Sequence, residues 1–357
     1  MSNIPKHFTA NLTRKSFDSY SPLNPQKIMA SPSNKKGTVL VQWILDTRFW
    51  YPEATQTKHL ETRASRALSL LPEAERTAVL RYFHIRDAKM SLASHLLKHY
   101  AVAKLTPTPW SATTITRNSK TKPVYIDPST GQEPVSFNVT HQAGIVALVA
   151  VANYPPSHGP ADTGIDIVCT SERRDRDQKM ILTDPAGWPG FVDMHADVFS
   201  PGEVSYLKYR VLSAVPGLVS GSKPEDLIDG KLRAFYALWA LREAYIKLTG
   251  EALLAEWLRE LEFVSFRPPR PTEAWGVPAR EDDVDTDTAQ VIRKFDIRFR
   301  GEKVEDVNMC LRSMGPDYMI ATAVRTSDRK EDALGWELGP YEFLDLNELL
   351  DFAEAHR

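Results

Sequence analysis

The chain has 357 residues, 42% hydrophobic and 25% charged, which are globular values and material enough for two ordinary domains. Its 44 basic and 46 acidic residues leave a formal net charge of −2, which speaks against a general nucleic-acid binder and leaves any anionic ligand to a local cluster of cations. Cys169 and Cys310 stand far apart without His or Cys neighbours at ligand spacing, so a disulfide framework and a structural zinc are not expected, and a reducing, cytoplasmic setting is.

Residues 1–37 are rich in Ser, Pro, Asn and Lys, show no sustained period, and are expected to form a flexible or loosely packed arm. They lack the apolar stretch of a secretory signal. Thr38–Asp46 reads as the first strand, and Leu60–Leu71 and Glu73–His84 read as helical. Arg86 and Lys89 form a small basic cluster ahead of Met90–Val102, where Leu92, Leu96, Leu97 and Tyr100 make a helical stripe. Past a loop opened by Pro107, Pro109 and Trp110, Thr113–Arg117 alternates like a strand, and Arg117 and Lys122 bracket a basic turn. Val135–Val139 and Ile145–Val151 are β-rich runs separated by Thr140-His141-Gln142-Ala143-Gly144. Tyr154–Thr163, with three prolines and one glycine, is the expected linker.

The second half opens on the short strand Gly164–Val168, GIDIV, followed by a charged loop over Ser171–Lys179. Phe199-Ser-Pro-Gly-Glu203 has the form of a helix start, with Ser200 as N-cap, Pro201 at the first position and Glu203 at the third. Phe235–Leu254 is amphipathic and belongs to a long helix over Leu232–Leu254. Arg267–Gln290 is expected to be a solvated loop, Phe295–Phe299 a strand exposed on one side, and Val307–Leu311 with Tyr318–Val324 a hairpin. Glu342–Ala355 has a weak helical period. No apolar run approaches the roughly 20 residues that span a bilayer, so no membrane association is expected. These signals divide the chain into an arm (1–37), an N-terminal half (38–153), a linker (154–163), a C-terminal half (164–330) and an extension (331–357), each half with strands and at least one long helix.

The residues with chemical potential are few. In GIDIV, Asp166 shares a face with Gly164 and Val168, and a carboxylate amid apolar residues is costly unless a cation or several donors satisfy it; the plain alternative is an Asp capping a loop. Trp239, Glu243 and Lys247 follow one another at four-residue steps and form one slanting row on the long helix. That row can hold a cation and an anion side by side, or it is an ordinary surface pair worth a few tenths of a kcal/mol. His141 is either a structural histidine or a donor to phosphate. The basic turns at Arg86 and at Arg117–Lys122 are either solvated surface or anion sites. No Walker loop, dinucleotide fingerprint, nucleophile elbow or zincin helix is present. Asp166 and Glu243 are too few to enclose a metal but suit Mg²⁺, which keeps waters and takes further ligands from phosphate. With Lys247, His141, Lys122 and Arg117 they describe metal-assisted cleavage of a diphosphate-containing substrate.

GIDIV paired with Trp239–Lys247 (WALREAYIK) resembles the signature of the 4′-phosphopantetheinyl transferases. It is closest to the broad-specificity, surfactin-synthetase-activating type, and Gly250–Phe263 looks like a fungal member. His84–Lys89, Lys122-Pro123, Phe137–His141 and Phe199–Glu203 occur in the family's order, so the resemblance covers about Thr38 to Val264. It implies an α+β monomer of two similar halves in a pseudo-twofold arrangement, each a small sheet packed on a long helix, with coenzyme A bound in the cleft between them. By position, Asp166 and Glu243 are implied as ligands of Mg²⁺ (Mn²⁺ in its place), and Lys247 as the residue reaching the diphosphate. His141, with Asn138 and Thr140 beside it, is implied as a coenzyme A phosphate contact. Lys122 and the turn from Arg117 are implied to hold the 3′-phosphate, and Arg86 lies in the related helix motif. The implied reaction moves phosphopantetheine to a serine of an acyl or peptidyl carrier domain and releases adenosine 3′,5′-bisphosphate, with Glu243, directly or through water, as base. The implied carriers belong to polyketide synthases, nonribosomal peptide synthetases, aminoadipate reductase and fatty acid synthase. A non-catalytic coenzyme A or nucleotide-binding module and a metal-dependent diphosphate hydrolase are the alternatives. Two departures stand out. Val168 occupies a place where some members carry a second acid, so a three-carboxylate metal site is not expected. Ala78 aligns with a basic residue of some members, for which Arg76 or Arg81 would substitute.

Overall fold

The computed structural model describes residues 37–211, 223–251, 255–264, 266–276, 285–286 and 288–357. The expected arm, apart from Gly37, lies outside the described residues, as does the 252–254 end of the expected long helix. The N-terminal half runs through β1 (Val39–Asp46), the short helices α1 (Leu60–Arg63), α2 (Ser65–Ser69) and α3 (Glu73–Leu80), and the long α4 (Ile85–Leu105). A small hairpin of β2 (Thr116–Arg117) and β3 (Pro123–Val124) follows, then β4 (Val135–Gln142) and β5 (Ile145–Ala152). The C-terminal half comprises β6 (Ala161–Cys169), α5 (Arg174–Thr183), α6 (Gly187–Asp193), α7 (Pro201–Tyr209), α8 (Pro224–Thr249), β7 (Leu261–Val264), β8 (Val291–Ile292), β9 (Asp296–Phe299), β10 (Glu302–Lys303), β11 (Val307–Met314) and β12 (Tyr318–Thr326). The last elements are α9 (Lys330–Leu334), β13 (Glu342–Phe343) and α10 (Leu346–Ala355).

Several of these differ from the sequence expectation for identifiable reasons. The expected helix over 73–84 stops at Leu80, and four exposed residues, Arg81–His84, separate it from α4. Thr140, His141 and Gln142 belong to β4 itself, because its antiparallel register with β5 runs on to Gln142 opposite Ile145. The charged segment expected as a loop becomes α5, whose Asp177 and Ile181, one helical turn apart, are both buried. The long helix starts at Pro224, eight residues before the expected Leu232, and ends at Thr249, where Gly250 takes the left-handed conformation (φ 76°) that closes a helix without a Cβ penalty. Within 267–290, the expected solvated loop is partly packed: Thr272 and Ala289 are buried, and the Thr272 hydroxyl accepts a hydrogen bond from the Gly315 N–H (2.6 Å) in the turn between β11 and β12.

Two four-stranded sheets organise the molecule, in the orders β13-β1-β5-β4 and β6-β12-β11-β8, with a three-stranded sheet β10-β9-β7 beside the second. The C-terminal extension is thus woven into the N-terminal half: β13 pairs parallel to β1, and Leu349, Leu350 and Ala353 of α10 join the core around α4. One hydrophobic cluster packs α4 on the first sheet and a second packs α8 on the other. A third lies between the sheets, with Ile44, Ile145, Val149, Ile165, Ile167 and Ile320 among its members. This accounts for the unbroken apolar run of β5, buried on both faces. Among the described residues no helix is long and apolar enough to cross a membrane.

Candidate active site

The edge strands β4 and β6 lie side by side where the two sheets meet, and α8 lies across β6. Glycine at position 164 permits this approach, because a Cβ there would sit 2.1 Å from the Ala244 carbonyl oxygen and 2.6 Å from the Leu248 nitrogen, both in α8. Two residues on, Asp166 points to the same face. It is 7% exposed, and its Oδ1 accepts from the Lys247 ammonium (2.6 Å) and the Thr140 hydroxyl (3.1 Å). Lys247 also donates to the Ile165 carbonyl (3.2 Å) and to the Thr140 hydroxyl (3.3 Å). The mid-strand carboxylate is therefore satisfied by a cation and a hydroxyl, as its position required.

Glu243 occupies the same face of α8 one turn before Lys247, partly buried, and makes no hydrogen bond among the described residues. Loss of water around it, reinforced by the Asp166 carboxylate and opposed by the Lys247 ammonium, pushes its pKa up to about 7. Trp239, a further turn back, stacks on Phe235 and meets Phe199 edge-on, which anchors the helix in the second core. The helix is also tied from behind. Arg242 donates to Glu203 (2.7 Å) within a buried ion pair, and Glu203 completes the expected capping box with Ser200 while accepting from the Phe263 N–H (2.9 Å).

The basic residues gather around this centre at different depths. His141, at the exposed end of β4, has its imidazole pushed below the usual value by desolvation and then by the Lys247 ammonium. Lys122 donates to the carbonyl of Thr163, the residue before GIDIV (2.9 Å), and burial lowers its pKa. Arg117 is exposed and braces its own turn through the Thr121 carbonyl (2.6 Å). Arg86, in the first turn of α4, pairs with Glu172 just beyond β6 (2.8 Å). Of the candidates for the Ala78 position, Arg76 pairs with Glu73, and Arg81 is exposed at the end of α3.

Asn138 was expected beside a phosphate. It is buried, and its amide oxygen accepts the Ile165 N–H (3.1 Å), which gives it a place in the strand junction. Sequence reasoning overlooked Gln142 and Glu172, which bond each other and reach Cys169 and Arg86. The available signal was the strict alternation Ser136, Asn138, Thr140, Gln142 along β4, a polar row on one strand face.

Among the described residues no group of three or more His, Cys, Asp or Glu side chains could hold a metal. Asp166 and Glu243 nevertheless fit a hard divalent cation that completes its shell with water and phosphate oxygens. Glu243 is raised first by desolvation and then by the Asp166 charge, and a cation beside both carboxylates would offset the second of these.

A buried and a half-buried carboxylate thus lie near an ammonium and an imidazole where the two sheets meet, a combination suited to phosphate chemistry. Residues 50–153 match the family profile described as 4′-phosphopantetheinyl transferase, N-terminal, and residues 162–293 match the 4′-phosphopantetheinyl transferase superfamily. The chain is 47% identical to 4′-phosphopantetheinyl transferase 1 of Fusarium mangiferae, over 88% of this chain and 95% of the relative. It is 35% identical to 4′-phosphopantetheinyl transferase NpgA of Emericella nidulans, over 84% of this chain and 86% of the relative. Against the human L-aminoadipate-semialdehyde dehydrogenase-phosphopantetheinyl transferase it is 27% identical, over 62% of this chain and 60% of the relative. The chain belongs to the 4′-phosphopantetheinyl transferase family. It is an enzyme that transfers the phosphopantetheine group of coenzyme A to carrier-protein domains.

Proposed function

We propose that transfer takes place at the β6–α8 contact, with Glu243 as the general base, Lys247 and His141 as the groups that neutralise phosphate charge, and Asp166 as the acid that holds them in register. The observation that carries this reading is the geometry of the contact: Lys247 donates to Asp166 (2.6 Å), and Glu243 stands one turn before Lys247 on the same face of α8. A carboxylate placed there can accept the proton of the carrier serine, directly or through a water. The serine oxygen forms a bond to the phosphorus bearing pantetheine, the bond from that phosphorus to the bridging oxygen breaks, and adenosine 3′,5′-bisphosphate departs. The serine proton goes to Glu243. Lys247 and His141 take up the charge that grows on the phosphate oxygens as this happens. Asp166 and Glu243 would hold Mg²⁺, or Mn²⁺ in its place, which would supply positive charge to the diphosphate oxygens.

Arg117, Lys122 and Arg86 serve coenzyme A binding in this scheme, with Thr140 next to the reacting phosphate and Asn138 supporting it from the same strand, β4. The carriers are acyl and peptidyl carrier domains of polyketide synthases, nonribosomal peptide synthetases, aminoadipate reductase and fatty acid synthase, met by a monomer in the cytoplasm. Incubation with coenzyme A, Mg²⁺ and an apo carrier domain, followed by mass measurement of the carrier, tests the reading. A gain of one phosphopantetheine group is expected from the wild type and a near-complete loss of rate in Glu243→Gln. Full activity in Glu243→Gln overturns the base assignment.

A further inference from the structure

We propose that Gln142, with Ser136 and Asn138, is a positioning residue for phosphopantetheine transfer, acting through a ladder of side chains that fixes β6, and so Asp166, against β4. The inference rests on the assignment of Asp166 given above. β4 and β6 are edge strands of different sheets, and no backbone ladder joins them among the described residues. Polar backbone groups along a buried edge need partners all the same. Side chains at every second position of β4 reach across to β6, since residues two apart point to one face, and two of the four bond backbone N–H groups there. Ser136 meets the Thr163 hydroxyl (3.3 Å), Asn138 accepts from the Ile165 N–H (3.1 Å), Thr140 donates to Asp166 (3.1 Å), and the Gln142 oxygen accepts from the Cys169 N–H (3.1 Å).

The rungs at 138 and 142 bracket Asp166 on its own strand. They hold the main chain on both sides of the carboxylate that Lys247 and Glu243 face. Gln142 has a second task, because its amide nitrogen donates to Glu172 (2.8 Å) and the other Glu172 oxygen accepts from Arg86 (2.8 Å). One side chain thus ties the end of β6 to the first turn of α4 across the seam.

The two bonds of Gln142 can be separated by substitution. Gln142→Leu removes both and is expected to lower kcat about tenfold to a hundredfold, the usual cost of losing a partner that orients an active-site ligand. Gln142→Glu keeps an acceptor for the Cys169 N–H but sets a carboxylate against Glu172. It is expected to raise KM for coenzyme A, and to weaken coenzyme A binding measured calorimetrically without carrier, while kcat stays close to wild type. Assays run well below each variant's melting temperature, and Gln142→Met takes the place of the leucine variant if that does not fold. A wild-type kcat in the variant lacking both bonds, or an equal loss of kcat in Gln142→Glu, overturns the proposal. Asp166→Asn is assayed beside them. If it is inactive while Gln142→Leu is normal, the ladder alone fails; if Asp166→Asn is active, the site assignment beneath it fails instead.

Discussion

The two halves bring opposite charges to the cleft, and they hold them differently. The C-terminal half contributes the carboxylates from regular, packed elements: Asp166 from the middle of β6 and Glu243 from the last two turns of α8. The N-terminal half contributes cations from the margins, Arg117 and Lys122 from a turn and Arg86 from the first turn of α4, with the His141 imidazole at the end of β4. On the acidic side, Lys247 stands against Asp166. Burial is what tunes an acid, by withdrawing the water that favours its charge, so groups that must change protonation gain from a rigid, desolvated setting. A cation that only binds phosphate needs reach more than tuning, and the exposed Arg117 has it.

Breaking the acidic side should have the largest effect. Glu243→Gln is expected to lower kcat by about 10²–10⁴, the range for loss of a general base, with carrier mass gain as the readout. Next comes the support behind α8. Arg242→Met leaves Glu203 buried without its cation and is expected to cost about 3 kcal/mol of folding stability in a denaturant titration. An unchanged midpoint would mean that the capping box and the Phe263 N–H satisfy Glu203 unaided. On the basic side, Arg117→Ala is expected to raise KM for coenzyme A by about tenfold or less with kcat held, because an exposed cation contributes about 1 kcal/mol. A fall in kcat of the same size would show that the turn acts in the transition state and would erase the contrast between the halves.

The subtlest test is titration of Glu243 in the metal-free enzyme, followed by carboxyl NMR. A midpoint near 7 is expected for the wild type. Asp166→Asn removes a neighbouring negative charge and should move it down; Lys247→Met removes the opposing ammonium and should move it up. The folded-state pKa exceeds the ordinary carboxylate value of 4.5, so the native state binds more protons than the unfolded one between about 4.5 and 7. Glu243 therefore favours folding at the acid end of that window, and its contribution is lost as pH rises through it. A midpoint near 4.5 in the wild type would remove the contrast in tuning between the halves.

Much of the site was legible because its residues sit in short, regular patterns. The row Trp239–Glu243–Lys247 needs only the helical repeat, and the face of Asp166 needs only the strand repeat. The capping box at Ser200 and Glu203 is local in the same sense. The segment that became α5 was less legible, since its burying contacts come from elsewhere in the fold. So was the role of Asn138, whose partner lies 27 residues away on another sheet. Nothing in 331–357 points to the N-terminal half, and only pairing of β13 with β1 reveals where it goes.

The sequence by itself determined which elements form, which faces they bury and which family the chain resembles, because periodicity, caps and short motifs act over a few residues. Tertiary structure decided what those residues face. It brought Lys247 onto Asp166 through the close approach that Gly164 permits, and it raised Glu243 by excluding water around it. It also turned an alternating polar row on β4 into the clamp between two sheets. Distances and desolvation belong to pairs of distant segments, and no local pattern encodes them.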